Sequence, residues 1–222
     1  MELKLKAGLL AALFAAGMAG MPSAFADGKA RELTVHAKKY QQYFAEASAE
    51  FNVPVELLES IAYAETRWRH HVPKGQARKN GEPDVEVDPH GGMPPSYGIM
   101  GLRNDTHFGT SLVQAAGLIR ERPATLISNT RANIRGAAAL LAHHGARKTR
   151  AFPLEDWEQS VALYSGIPQR EIAQLYTYEV FTAIRQGREA GDYKIRQRHV
   201  EMDKIYGRDK LKKLAAPRIT VE

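Results

Sequence analysis

The chain of 222 residues is 44% apolar and 25% charged, a composition that favours a globular domain and excludes an intrinsically disordered protein. Cysteine is absent, which excludes a disulfide framework and a lipid-modified cysteine. The net charge of +6 suits an anionic partner such as cell wall, anionic lipid or nucleic acid, but it also suits a merely solvated surface. Charge alone therefore does not select a partner.

The first 26 residues have the features of an export signal. Lys4 and Lys6 precede an apolar run over residues 7–19, and Ala24-Phe25-Ala26 fits the small-x-small cleavage rule. A retained membrane anchor is the alternative, but the apolar run falls short of the ~20 residues that span a bilayer. The sequence predicts a signal peptide over residues 1–26, its removal, and a periplasmic or secreted protein with no stable membrane insertion.

Two helices are predicted next along the chain. Apolar residues at helical spacing indicate a first helix that ends near Asn52. These residues are Tyr40, Tyr43, Phe44, Ala47 and Phe51. Pro54 suits the first turn of a second helix, because its missing N–H costs nothing there, and helical spacing continues to about Trp68.

Residues 71–95 are rich in proline and glycine and lack periodicity, which predicts a long loop with room for a small hairpin. Helical spacing returns after this loop and predicts four further helices up to Gly187. Their apolar positions are Leu112, Ala116 and Ile119; Ile134, Ala137, Ala138 and Leu141; Trp157, Val161 and Tyr164; Ala173, Tyr176, Val180 and Ala183. We predict an all-α domain over residues 27–190, followed by a peripheral helix or charged tail over residues 191–222.

Glu65 has an unusual position for a charged residue. It lies four residues after Ile61 and seven after Leu58, so it shares their apolar face of the second helix. Burial destabilises a carboxylate relative to its protonated form, so such a group can hold a proton near neutral pH. General-acid cleavage of a glycosidic bond needs a proton of this kind. From the helix alone, an ion pair with Arg67 or Arg69, or a position at the rim of the stripe with the carboxylate in water, is the better interpretation.

Several short motifs follow the helix that carries Glu65. They are Glu65-Thr66, Ser96-Tyr97-Gly98-Ile99-Met100-Gly101-Leu102, Asn133-Ile134, Tyr164-Ser165-Gly166-Ile167-Pro168, and Tyr178 with Val180. With these motifs, over about residues 51–186, the chain resembles the lytic transglycosylases of the soluble-lytic-transglycosylase type. No single motif is specific, but five in the correct order favour a catalytic Glu65 over the ion pair.

The resemblance implies a lysozyme-like helical fold and a glycan-binding site around Glu65. The substrate-binding residues that it implies are Thr66, Ser96, Tyr97, Met100, Tyr164 and Tyr178. A core position is an equal alternative for Met100, Tyr178 equally suits packing in the core, and Asn133 suits a helix cap better than a ligand.

Three positions depart from the pattern of the resembled family. Thr66 replaces the usual serine and keeps the hydroxyl, while Ser165 replaces an asparagine. Gly101 replaces a glutamine that in the family reaches towards the sugar. The contacts to the sugar are therefore expected to differ from the family's, with residues 71–95 restoring part of the groove.

The resemblance also implies a reaction on the glycan strands of peptidoglycan. Glu65 would protonate the glycosidic oxygen and then take the proton from the sugar's own 6-hydroxyl, leaving a 1,6-anhydro-muramoyl end. One alternative is a muramidase like goose-type lysozyme, for which Asp84, Asp88 or Asp105 would be the second acid. The other is a non-catalytic peptidoglycan-binding protein.

No metal or cofactor is predicted for this site. His70, His71, Asp88 and His90 lie around the long loop, but their spacing matches no established ligand pattern. A nucleic-acid partner is not expected, because no aromatic-basic module is present and the protein is predicted to be exported. The expected partner is peptidoglycan.

Overall fold

The computed structural model describes residues 23–76, 84–87 and 94–216, with the side chains of residues 36–76, 86 and 94–216. Of the signal peptide predicted over residues 1–26, residues 1–22 lie outside the described residues. The described chain is mostly helical, which confirms the predicted all-α class. Its helices are α1 (Ser23–Phe51), α2 (Val55–Thr66), α3 (Ser111–Leu118), α4 (Pro123–Ser128), α5 (Thr130–Gly145), α6 (Glu158–Ser165), α7 (Arg170–Gln186), α8 (Met202–Tyr206) and α9 (Arg208–Leu214). Its strands are β1 (His70–Pro73), β2 (Asp84–Val87), β3 (Ser96–Tyr97), β4 (Leu102–Arg103), β5 (Arg188–Ala190) and β6 (Tyr193–Ile195).

The core is centred on α5, which packs against α1, α3, α4 and α6, while α2 packs against α7 and α1. The apolar stripe predicted for α5 is fully buried, because residues three, four and seven apart share one helix face. Its members are Ile134, Ala137, Ala138 and Leu141. A 3-10 turn at Leu154–Trp157 precedes α6 and inserts the ring of Trp157 against Gly145 of α5. Burial of this stripe and of the facing rings supplies the main stabilising free energy of the domain.

Helix α2 is the element that positions Glu65. It begins at Val55, one residue after Pro54, and ends at Thr66. Arg67 and Trp68 adopt left-handed φ values of 53° and 59°, so the helix ends two residues earlier than predicted and the chain turns directly into β1. Glu65 therefore stands in the last turn, beside the segment that leads out of the helix.

The strands near this turn differ from the prediction. Within residues 71–95 the described strands β1 and β2 pair in parallel, with His70 opposite Asp84, so they do not form the predicted hairpin. Residues 74–83 separate the two strands, whereas a hairpin joins its strands by a tight turn. A hairpin follows directly after this region, where β3 and β4 pair antiparallel with Ser96 opposite Arg103.

The segment after α7 packs onto the helical body. β5 and β6 form an antiparallel hairpin, and α8 and α9 follow it, where the sequence predicts one peripheral helix or a tail. Five of its apolar side chains are buried: Ile195, Val200, Met202, Tyr206 and Leu214. Across the described residues, none of the helices is both long enough and apolar enough to cross a bilayer.

Candidate active site

Glu65 lies in the last turn of α2, and its side chain is 9% exposed. Removal from water raises the pKa of this carboxyl from 4.5 to about 7. The charge of Arg103 and the nearby hydroxyl of Tyr176 oppose this rise, while the charge of Glu179 adds to it. Near neutral pH, Glu65 is thus divided between acid and carboxylate, as a group that both gives and takes a proton needs to be.

The cation beside Glu65 is not the one that helix spacing suggests. Arg67 turns away and places its Nη2 2.8 Å from Oε1 of Glu179. Instead Arg103, in β4, places its Nη2 3.6 Å from Oε2 of Glu65, which is an ion-pair distance but too long for a hydrogen bond. This loose pair leaves desolvation as the largest influence on the pKa of Glu65.

Two tyrosines from different helices lie close to the carboxyl of Glu65, and the buried surroundings of this carboxyl are called the Glu65 pocket. Tyr164, in α6, is 4% exposed and donates its hydroxyl hydrogen to the carbonyl of Met100 at 2.7 Å. Tyr176, in α7, has a buried hydroxyl that makes no hydrogen bond of good geometry, yet it lies near enough to Glu65 to favour the carboxylate. Burial and then the charge of Glu65 raise the pKa of both phenols. The three side chains therefore share one electrostatic environment.

Tyr178, which the sequence predicts to bind substrate, lies outside this pocket. Its ring packs edge-on against Tyr206, with 6.0 Å between the ring centroids. Residues two apart on a helix point about 200° apart, so Tyr176 and Tyr178 cannot face Glu65 together. Tyr178 thus takes the packing role that the sequence leaves open for it, and Tyr176 is the tyrosine of α7 that lies near Glu65.

Gly101 lies directly against the carboxylate of Glu65. It has a left-handed φ of 64°, and a Cβ built on it would lie 2.5 Å from Oε2 of Glu65. No side chain fits here while Glu65 keeps its position, and the backbone conformation itself favours glycine. In this chain a glutamine at position 101, as in the resembled family, would collide with the carboxylate of Glu65, whereas Gly101 leaves room for it.

Asn133 holds the turn that carries Gly101. Its Oδ1 accepts the N–H of Met100 at 2.9 Å, and its Nδ2 donates to the carbonyl of Tyr97 at 3.2 Å. The predicted capping role is wrong, because Asn129 is the N-cap of α5 and accepts a first-turn N–H at 3.0 Å. Asn133 is fully buried and links α5 to the β3–β4 turn.

Thr66 and Met100 support the site from beneath. Thr66 is 4% exposed, and its hydroxyl donates to the carbonyl of Ile99 at 2.7 Å, while the side chain of Met100 is completely buried. Neither side chain, nor that of Tyr164 with the same exposed fraction as Thr66, presents a surface to a substrate, which corrects the substrate-binding role expected of all three. Thr66 instead joins the end of α2 to the turn next to Gly101.

Ser96 and Tyr97 are partly exposed at the start of this turn. Oγ of Ser96 lies 3.0 Å from Nδ1 of His71 in β1, so two strands meet here. Burial, followed by the charges of Arg69 and Arg103, lowers the pKa of His71 and favours its neutral form. Contact of Ser96 and Tyr97 with a substrate stays a prediction, with neutral His71 as their neighbour.

Of the three candidates for a second acid, Asp105 is the one whose side chain the structure describes. Its Oδ1 accepts the backbone N–H groups of His107 and Phe108, each at 2.7 Å, which is the bonding of a turn-forming aspartate. The side chain of Asp84 and all of Asp88 lie outside the described residues. The described chain thus gives Asp105 a local structural role.

His70, one of the residues considered as metal ligands, forms hydrogen bonds within the protein interior. His70 is fully buried, and its ring nitrogens lie 2.7 Å from the carbonyl oxygen of Ile127 and 3.1 Å from Oγ1 of Thr130. His90 lies outside the described residues. In the part of the chain that the structure describes, no three acidic or histidine side chains converge as a metal site would require.

Four surface cavities lie along other parts of the described chain, and Glu65 lines none of them. One is bordered by Arg185, Arg198 and His199, and another by Leu163, Ile167 and Pro168. A groove for a glycan strand at Glu65 therefore stays a prediction.

Two residues of the pocket, Arg103 and Tyr176, were not assigned from the sequence. Tyr176 carries a usable signal, because it lies three residues after Ala173 and four before Val180, which are both buried in α7. Arg103 carries no such signal, because its approach to Glu65 depends on the pairing of β3 with β4.

Comparison of the chain with protein-family models, with curated proteins and with solved structures finds no match. The resemblance to lytic transglycosylases therefore rests on the sequence motifs alone.

Proposed function

We propose that this protein is a peptidoglycan lytic transglycosylase, a carbon–oxygen lyase that cleaves the bond between N-acetylmuramic acid and N-acetylglucosamine. The observation that carries the proposal is the carboxyl of Glu65, which is 9% exposed, has a pKa raised to about 7, and lies between Arg103, Tyr176 and Gly101. The lysozyme-like fold and an exported, periplasmic or secreted location belong to the same proposal.

The reaction needs one residue that acts first as an acid and then as a base. Protonated Glu65 gives its proton to the glycosidic oxygen as the bond to the anomeric carbon breaks. The Glu65 carboxylate then takes the proton of the muramoyl 6-hydroxyl while that oxygen bonds to the same carbon. Glu65 ends protonated, no water is consumed, and a 1,6-anhydro end is left. A pKa of about 7 suits both steps near neutral pH.

A muramidase is the second candidate, and it requires a second acid to activate water or attack the sugar. Of the candidates with described side chains, Asp105 has one carboxylate oxygen occupied by two backbone N–H groups. This bonding gives Asp105 a role in the turn, and the side chain of Asp84 and all of Asp88 lie outside the described residues. A protein that binds peptidoglycan without cleaving it is the third candidate, and the convergence of Arg103, Tyr164 and Tyr176 around the buried carboxyl of Glu65 argues against it.

The experiment is digestion of purified peptidoglycan by the wild-type protein and by Glu65→Gln, followed by mass spectrometry of the fragments. We expect 1,6-anhydro ends from the wild type and a loss of roughly 10²–10⁴ in rate for the variant, the range of a general acid. Glu59→Gln is the matched control, because it removes another buried carboxylate of α2 and is expected to keep the wild-type rate.

Each other outcome selects a different candidate. Reducing ends without anhydro ends would make the protein a muramidase. Binding to peptidoglycan with no released fragments from the folded wild type would leave a non-catalytic binding protein.

A further inference from the structure

The side chain of Arg103 is fixed on several sides at the pocket of Glu65. Its guanidinium carbon lies 5.0 Å from the centroid of the Phe108 ring, and its Nη1 donates to the carbonyl of Pro94 at 3.3 Å. Its backbone N–H donates to Oγ of Ser111 at 2.8 Å. With 19% of the side chain exposed, Arg103 is held in one orientation, and Nη2 points to Glu65.

The distance between Arg103 and Glu65 allows electrostatic attraction without a direct hydrogen bond. At 3.6 Å, Nη2 of Arg103 is beyond hydrogen-bond length from Oε2 of Glu65, and the carboxylate gains no strong bidentate partner. A closer pair would keep Glu65 ionised at neutral pH and remove its use as an acid. A missing pair would leave the carboxylate unsupported once its proton has gone.

We propose that Arg103 is a positioning residue of the site, which holds a fixed positive charge beside the carboxylate that Glu65 becomes after it gives up its proton. This role rests on the proposed function. Arg103 makes Glu65 a stronger acid when it protonates the glycosidic oxygen, and a weaker base when it accepts the proton from the 6-hydroxyl. The charge of Arg103 therefore sets a single pKa for Glu65 that has to serve both proton transfers.

The other described groups that influence Glu65 are two neutral tyrosines and one carboxylate. Tyr164 from α6 and Tyr176 from α7 are neutral phenols whose own pKa values are raised far above the neutral range. Glu179, also in α7, adds negative charge, but it is paired with Arg67. Arg103 is thus the positive charge that acts most strongly on Glu65 among the described residues.

The test is titration of the Glu65 side-chain carboxyl by ¹³C NMR in the wild type, Arg103→Met and Arg103→Lys. We expect Arg103→Met to raise the titration midpoint of Glu65 by about one pH unit or more, and Arg103→Lys to raise it less, because a partner charge within 4–6 Å commonly shifts a carboxyl by that amount. Arg69→Met is the matched control, since it removes an exposed cation near the end of α2 that is not among the largest influences on the pKa of Glu65.

The pH–rate profile on peptidoglycan gives the functional readout. Activity needs protonated Glu65, so the loss of activity at high pH is expected to move upward in Arg103→Met by the shift seen in the titration, with a lower rate on the acid side. If Arg103→Met fails to fold, Arg103→Gln replaces it.

The outcomes separate the two proposals. A Glu65 midpoint in folded Arg103→Met equal to that of the wild type would overturn the role of Arg103. If the Glu65 midpoint shifts in Arg103→Met but the folded wild type cleaves no peptidoglycan, the proposed function would be overturned. Arg103 would then still be the charge that controls the pKa of Glu65.

Discussion

Two buried glutamates on one helix show what distinguishes a site from a merely buried charge. Glu59 and Glu65 both lie on α2, and both are almost removed from water. Burial raises the pKa of Glu59 to about 8 and that of Glu65 to about 7. By pKa alone, Glu59 is the more perturbed of the two.

Their surroundings differ. Glu59 faces the segment after β6, where Glu56 adds repulsion and Arg196 opposes the rise in pKa through its charge and its backbone N–H. Glu65 faces groups from four different elements. They are Gly101 in the β3–β4 turn, Arg103 in β4, Tyr164 in α6 and Tyr176 in α7. A raised pKa therefore reports burial, and convergence of polar groups from several elements is what marks the Glu65 pocket as the candidate site.

The largest expected effect compares the two glutamates by pH-dependent stability. Each folded-state pKa lies above the unfolded value of 4.5, so folding retains a proton that the unfolded chain releases, and stability falls as pH rises to about 7 for Glu65 and about 8 for Glu59. Between pH 5 and pH 8, at about 1.4 kcal/mol per pKa unit, this loss is roughly 2.5 kcal/mol for Glu65 and roughly 3.5 kcal/mol for Glu59, and Glu→Gln should remove it. Urea unfolding at pH 5 and pH 8 measures both, and equal pH dependence in variant and wild type would contradict the assignment.

Removing the amide of Asn133 is expected to damage the Glu65 pocket and spare that of Glu59. Asn133→Ala leaves the buried N–H of Met100 and the carbonyl of Tyr97 without their partner, at a cost of about 3 kcal/mol. Asn129→Ala is the control and removes one helix cap, at about 1 kcal/mol. Thermal unfolding gives the stability difference, and a smaller loss for Asn133→Ala than for Asn129→Ala would sink the idea.

A methyl group at Gly101 tests the close approach to Glu65. Gly101→Ala forces a Cβ into the carboxylate at a left-handed φ, which is expected to cost about 2–3 kcal/mol and to reduce cleavage of peptidoglycan. Gly75→Ala, with a φ of 78° and no atom near the added Cβ, carries only the backbone cost of about 1 kcal/mol. Similar losses of stability in these two variants would show that the carboxylate does not occupy this place.

The smallest effect concerns the choice between two tyrosines of α7. Tyr176→Phe removes a hydroxyl that favours the Glu65 carboxylate, so the Glu65 midpoint is expected to rise by about half a pH unit, worth about 0.7 kcal/mol. Tyr178→Phe and the midpoint of Glu59 are expected to stay unchanged. Titration of both glutamates by ¹³C NMR checks this, and a shift produced by Tyr178→Phe instead would reverse the assignment.

Helical periodicity was sufficient to predict most of the helices and the place of Glu65. Spacing of apolar residues depends on local geometry, so α2, α3, α5, α6 and α7 and the burial of their stripes could be predicted directly. The same spacing placed Glu65 on the buried face, which the structure confirms. The described strands β1 and β2 pair in parallel and not as the small hairpin considered from the sequence, because periodicity does not specify which short strands pair.

The neighbours of Glu65 were decided by tertiary structure. Arg103 reaches the carboxylate through β3–β4 pairing, and Asn133 is drawn from α5 to the same turn by buried backbone groups that need partners. Tyr176 faces the pocket because α7 packs its stripe onto α2. Sequence by itself determined which face of each helix is buried, since that depends on residues three or four apart, whereas long-range packing determined which charges and hydroxyls meet there.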